Sequence, residues 1–228
     1  MIRPKIVFLV VIWLAIVLSL SFRALSVGVE RIQSGRTSFN PSLTSVRAAG
    51  SGLPDVQAPP FAHGAAVAFA TSLMGELSEA LEQGSAAEAI KICGDAASRI
   101  SQQVAEEKGV WVGRVALNLR NPSNAPDSWE RSWLESALET TASNPVSSLG
   151  KFRSLPDGQK EYAYLMPIYT APSCLQCHGE PANLGLGVAE ALFTDYPDDA
   201  ATGFVLGSLR GAVKVRVPIR ETRAGQFK

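Results

Sequence analysis

The stretch "SAAEAIKICGDAASRISQQVAEEKGVWVGRVALNLR", residues 85–120, decides the fold class. Its first part has a helical period: Ile90, Cys93, Ala97, Ile100 and Val104 recur three or four positions apart and share one stripe. Ser85 followed by Glu88 is a capping box, and Gly109 supplies the C-terminal stop. Beyond Gly109 the texture changes. Val110, Val112 and other branched residues in near alternation predict a strand over 110–120. Helix and strand thus follow each other directly.

Before this stretch, "FAHGAAVAFATSLMGELSEALEQG" (61–84) places Val67, Ala70, Met74, Leu77 and Leu81 at helical spacing and ends at Gly84. Two consecutive amphipathic helices with a tight break predict a packed pair. After it, "NPSNAPD" (121–127) is a loop. "SWERSWLESALETTAS" (128–143) predicts a helix with Trp129, Trp133, Leu134, Ala137 and Leu138 on one face. "KFRSL" (151–155) and "KEYAYLMPIY" (160–169) predict strands, joined by the turn Pro156–Gln159, and Phe152, Tyr162 and Tyr164 are expected to pack the sheet. "YPDDAATGFVLGSLRG" (196–211) is a glycine-rich loop. In "AVKVRVPI" (212–219), Val213, Val215, Val217 and Ile219 alternate with Ala212, Lys214 and Arg216, which predicts a half-buried final strand. The order predicts an α+β fold, an antiparallel sheet with an N-terminal helix pair.

The sequence divides into three parts: 1–22, 23–60 and 61–228. Arg3 and Lys5 precede 17 residues without a charge, Ile6 to Phe22, which predicts a membrane anchor or, if cleaved near Ser19-Leu20-Ser21, an export signal. Within 23–60, "SGRTSFNPSLTSVRAAGSGLPDVQAPP" (34–60) is rich in Ser, Gly and Pro and predicts a flexible linker. The remainder, 61–228, is expected to fold. The expected location is the bacterial inner membrane with the folded domain facing the periplasm, or the periplasm itself after cleavage. Hydrophobic residues make up 46% of the chain, enough for a packed core. The first 50 residues hold six Lys or Arg against Glu30, leaving 15 basic against 20 acidic residues in the body. That acidic balance excludes a general attraction for nucleic acid.

The chain holds three cysteines and two histidines, and three of these five fall in "CLQCHG", residues 174–179. Cys-x-x-Cys-His is the attachment signature of c-type haem. Two thiols add to the two vinyl groups, and the next imidazole binds the iron. Cys174, Cys177 and His178 meet that need within one turn. The pattern also admits a zinc site, which needs further ligands such as Cys93 or His63, a redox dithiol, or a plain disulfide. Candidates for the second axial position are His63, Met74, Met166 and Cys93. Arg120 can pair with a haem propionate, and Asn121 can fix the loop around the group.

"KICGDAA", "RNPSNAPDSWE", "PI" followed by "CLQCHG", and "YPDDAATGF" occur in that order and, over roughly residues 61–220, resemble the single-haem c-type proteins of the cyanobacterial Tll type. The resemblance implies a PAS-like fold, one covalently attached haem c, and His/Cys axial ligation by His178 and Cys93. A thiolate opposite an imidazole lowers the reduction potential. These features lead to an expected redox or gas sensor, with a membrane-anchored electron-transfer cytochrome as the alternative. An enzyme is not expected. The expected partners are the membrane, through the N-terminal helix, and a redox or signalling protein.

Overall fold

Ser85 and Glu88 do form a reciprocal cap, each side chain taking the other's backbone N–H, and Gly109 closes the same helix in the left-handed conformation at φ 65°. Between them runs α2 (Ala86–Lys108), preceded by α1 (Ala58–Gln83). The computed structural model describes residues 52–220, all within one compact unit, Val46–Lys228. The expected anchor and most of the expected linker lie outside the described residues, as do the side chains of Ile92 and Cys93. Among the described residues no helix is long and apolar enough to cross a membrane.

The remaining elements are β1 (Trp111–Val115), α3 (Ser128–Ser136), β2 (Leu149–Ser154), β3 (Lys160–Tyr169), α4 (Leu175–His178), α5 (Val188–Asp195) and β4 (Leu209–Ile219). The strands form one antiparallel sheet in the order β1-β4-β3-β2. The fold is therefore the expected α+β arrangement of an antiparallel sheet and an N-terminal helix pair. Folded structure begins before Phe61. Leu53 bridges Ile219 in parallel, its N–H donating to the Pro218 carbonyl at 3.1 Å.

One face of the sheet, built from Val110, Val112, Tyr162, Tyr164, Val213, Val215 and Val217, packs against α1 and α2. The buried stripe of α1 is not the expected one. Ala58, Ala62, Ala65, Ala66 and Phe69 are buried, whereas Val67 and Met74 are more than 40% exposed. Alanines carry no bulk beyond Cβ, so α1 can lie close against the strands. Hydropathy alone underrates such a face. On α2, Ile90, Ala97, Ile100 and Val104 are buried as the stripe predicts.

The other face carries α3, through Val115, Trp133, Leu134, Ala137, Leu165, Leu209 and Ala212. This cover overturns the half-buried reading of β4, which is buried on both sides. Lys214 is only 7% exposed, and its ammonium meets Glu130 of α3 at 3.2 Å and lies 5.3 Å from the Trp111 ring. Arg216 reaches the other Glu130 oxygen at 3.6 Å. Glu130 also accepts from the Asp127 backbone N–H at 3.0 Å, so the helix cap and the buried ion pair share one carboxylate. β1 stops at Val115, short of the predicted end. The Ala116 N–H leaves the ladder for the Asn124 carbonyl at 3.2 Å.

Candidate functional site

The Cys-x-x-Cys-His segment sits where β3 ends. Thr170 is stapled to the loop that leads into β4: its N–H donates to the Ser208 carbonyl and its own carbonyl accepts from Gly207, both at 2.9 Å. A short turn, Pro172–Cys174, then hands over to α4, the single turn that carries Cys177 and His178. Pro172 presets the backbone for that turn. The Cys174 sulfur accepts from the Ala171 N–H at 3.3 Å. Cys177 faces the start of α2, its Sγ 3.7 Å from the Ala86 carbonyl, and packs with Ala86, Ile90, Val188 and Leu192. The motif thus docks on the helix that carries position 93. That position lies one turn beyond Ile90 and beside Gly94, where a Cβ would come within 2.9 Å of Tyr196 Oη just after α5.

His178 is held from several directions. Its carbonyl accepts from the Phe204 N–H at 2.9 Å, and its ring meets the Phe204 ring edge-on with centroids 6.4 Å apart. Its Nδ1 lies 2.6 Å from the Ala201 carbonyl oxygen. A carbonyl can only accept, so Nδ1 carries the proton and Nε2 keeps its lone pair. Burial, with the positive charges of Arg210 and Arg120 nearby, pushes the imidazole pKa down to about 3. At neutral pH the ring is therefore a neutral base with one nitrogen fixed and the other available, which is the state a metal-ligating histidine requires.

Arg120 binds the motif to its supporting loop. It donates to both Asp199 oxygens, at 2.9 and 3.2 Å, and to the Cys177 carbonyl at 2.6 Å. Asp199 Oδ1 also receives the Ala201 N–H at 3.3 Å, which connects the ion pair to the residue that holds His178. Asn121 serves the adjoining turn, its Oδ1 accepting from the Ser123 N–H at 2.9 Å. His63 lies elsewhere, with Nδ1 2.8 Å from Tyr164 Oη on the helix-covered face of the sheet. Met166 is packed against that same core. Among the described residues no set of three His, Cys, Asp or Glu side chains is assembled that could hold a metal ion as zinc requires.

Sequence reasoning missed Asp199, the Ala201 carbonyl and Arg210. Arg210 opens β4. Its Nη1 donates to the Asn118 carbonyl at 3.1 Å and its guanidinium lies 5.0 Å over the Phe204 ring, on which His178 also rests. Its Nε is enclosed with no hydrogen-bond partner. Burial, then Arg120 and Arg114, push its pKa down to about 10, against the opposing influence of Asp199 and Cys174. An enclosed donor and an excess of positive charge beside Cys174 and His178 fit a bound group with acid side chains. The donor set of two thiols and a fixed imidazole fits a porphyrin attached at this turn.

These elements define a small α+β domain with a turn bearing two thiols and a fixed imidazole at one end of its sheet. A model of the Tll0287-like family matches residues 29–218, and the chain belongs to that family. Among solved structures, the crystal structure of the cyanobacterial heme-protein Tll0287 matches at 26% identity over 55% of this chain and 71% of that one, with a TM-score of 0.43. No curated protein matches the chain.

Proposed function

We propose that this chain is an exported, membrane-tethered protein carrying one haem c, joined through Cys174 and Cys177 and ligated by His178 and Cys93, and that it acts as a redox or gas sensor rather than an enzyme. The observation that carries the reading is the 2.6 Å bond from His178 Nδ1 to the Ala201 carbonyl, which leaves Nε2 as the one ring nitrogen able to bind a metal. Membership of a family named for a protein that is itself described as a heme-protein supports it.

The bound group supplies a reversible one-electron couple. The chain supplies everything else. Cys174 and Cys177 fix the group to a turn that is itself anchored by Arg120. His178 offers Nε2 in a set orientation. With the group bound, Cys93, on the helix against which Cys177 packs, would supply a thiolate to the metal and offset its positive charge in the oxidised state. On reduction that charge would be gone, and Cys93 would gain basicity and take a proton from water. Loss of the Cys93 bond would be the switch, and it would make room for a diatomic gas. Its output goes to a membrane or periplasmic protein partner. An anchored electron carrier is the alternative, in which Cys93 stays in place through both states.

Optical and electron-spin spectra of both oxidation states, for wild type and Cys93→Ser, test this. The thiolate signature is expected in the oxidised wild type only, with carbon monoxide binding on reduction. A reduced protein that keeps its thiolate spectrum and ignores carbon monoxide across neutral pH overturns the switch. Colourless protein with the mass of the bare chain overturns the haem reading itself.

A further inference from the structure

Arg210 is unusual among the arginines around the motif. Arg120 has its carboxylate in Asp199, at 2.9 and 3.2 Å. Arg210 has only a backbone carbonyl, that of Asn118, and an aromatic face, that of Phe204. Its Nε–H is shut away from water without an acceptor. A charged donor in that condition is destabilising unless an acceptor completes it. The groups that act on it electrostatically are Arg120, Arg114, Asp199 and Cys174, so the arginines outnumber the one carboxylate. Asp199 is already engaged by Arg120. The charge balance and the enclosed donor ask for the same thing, a planar anion able to accept from a guanidinium edge.

We propose that Arg210 anchors a carboxylate-binding site beside His178. The carboxylate is an acid side chain of the attached prosthetic group, or a free small carboxylate where that group's acids lie elsewhere. The first case rests on the haem reading above; the second does not. In either case the Nε edge of Arg210 is the donor, Phe204 supports the flat face of the guanidinium, and Asn118 fixes the far nitrogen. Arg210 acts as a positioning residue: it orients the group and holds negative charge near the imidazole.

The test compares wild type, Arg210→Met and Arg210→Lys, with circular dichroism confirming that each folds. In pigmented protein the readouts are the carboxylate bending bands in the resonance Raman spectrum and the pH dependence of the midpoint potential. An opposite charge at hydrogen-bond range holds a carboxyl pKa down by about 1–3 units. Arg210→Met is therefore expected to shift those bands and to raise the acid limb of the potential curve by about a unit or more, with Arg210→Lys recovering part of the shift. If the bands and the curve stay put, sodium acetate is titrated against the reduced protein while the Arg210 Nε–Hε signal is followed by NMR. A saturable shift of that signal, together with a shift of the neighbouring Phe204 backbone amide that Arg210→Met abolishes, assigns the site to a free carboxylate. Colourless protein ends the haem reading, and the acetate titration alone then decides this one. No change in bands, potential or NMR signal overturns the proposal.

Discussion

Replacing Arg120 with methionine removes the side chain that bonds both the Cys-x-x-Cys-His turn and Asp199 of its supporting loop. The Arg120 and Asp199 side chains keep 14% and 8% of their exposure, and the contact is two-pronged at 2.9 and 3.2 Å. Taking one partner from a buried pair costs about 3–5 kcal/mol, because the other charge stays behind without its counterion. The residual solvent contact here places the loss near the lower figure. The Cys177 carbonyl also loses its 2.6 Å donor, worth about 1 kcal/mol. The expected loss is about 3–4 kcal/mol, or roughly 10 °C in Tm for a domain of this size. Equilibrium urea denaturation of Arg120→Met, Asp199→Leu and the double variant measures it. The double variant is expected to be markedly more stable than the sum of the singles implies, with a coupling of about 1–3 kcal/mol. Hydrogen exchange at the Phe204 amide, which is bonded to the His178 carbonyl, is expected to speed up in Arg120→Met. A loss below about 1 kcal/mol with additive singles would refute the idea that this pair holds the motif in place.

Glu130→Gln leaves Lys214 and Arg216 facing a neutral amide under α3, and is expected to cost about 3 kcal/mol in thermal or urea unfolding, whereas Glu130→Leu with Lys214→Met is expected to recover most of it. Gly211 sits at φ 155°, and a Cβ there would fall on the Val115 carbonyl oxygen; Gly211→Ala is expected to lose more than about 1 kcal/mol and to weaken exchange protection in β1. In the Cys174→Ala/Cys177→Ala chain, the unfolded His178 gains its proton near the ordinary value of 6.5 while the folded one resists to about 3. The unfolded state therefore binds more protons between those limits, so this stability is complete above pH 6.5 and falls as pH drops towards 3, by at most about 5 kcal/mol less what solvent contact screens. His178→Gln is expected to flatten that segment of the stability curve, and an unchanged slope would show the imidazole to be solvated.

The local signals were readable in the chain. The Ser85–Glu88 cap, the Gly109 stop and the Pro156–Gln159 turn involve neighbours three or four residues apart, and each is found where its chemistry predicts. The motif was readable for the same reason, since its donors lie within five consecutive residues. The site around it was not. Arg120 and Asp199 are 79 positions apart, and Arg210 and Asn118 are 92 apart, so only the fold brings them together. Period-two patterning puts Lys214 on the face opposite Val213 and Val215 and predicts a half-buried strand, but it does not say what covers each face. The carboxylate that makes burial of Lys214 tolerable lies 84 residues earlier, on a helix.

The place of β4 in the sheet has a consequence for how the molecule is made. The last strand of the described chain lies between β1 and β3 and is the only link between them in the sheet. Until residues 209–219 have emerged from synthesis, β1 and the β2–β3 pair are separate pieces, each with an open edge of unpaired backbone groups. Closure must wait for residues 209–219 and must bring together residues about a hundred positions apart, which slows assembly. A nascent chain halted before Leu209 should therefore be a client for chaperones rather than a smaller version of the finished domain.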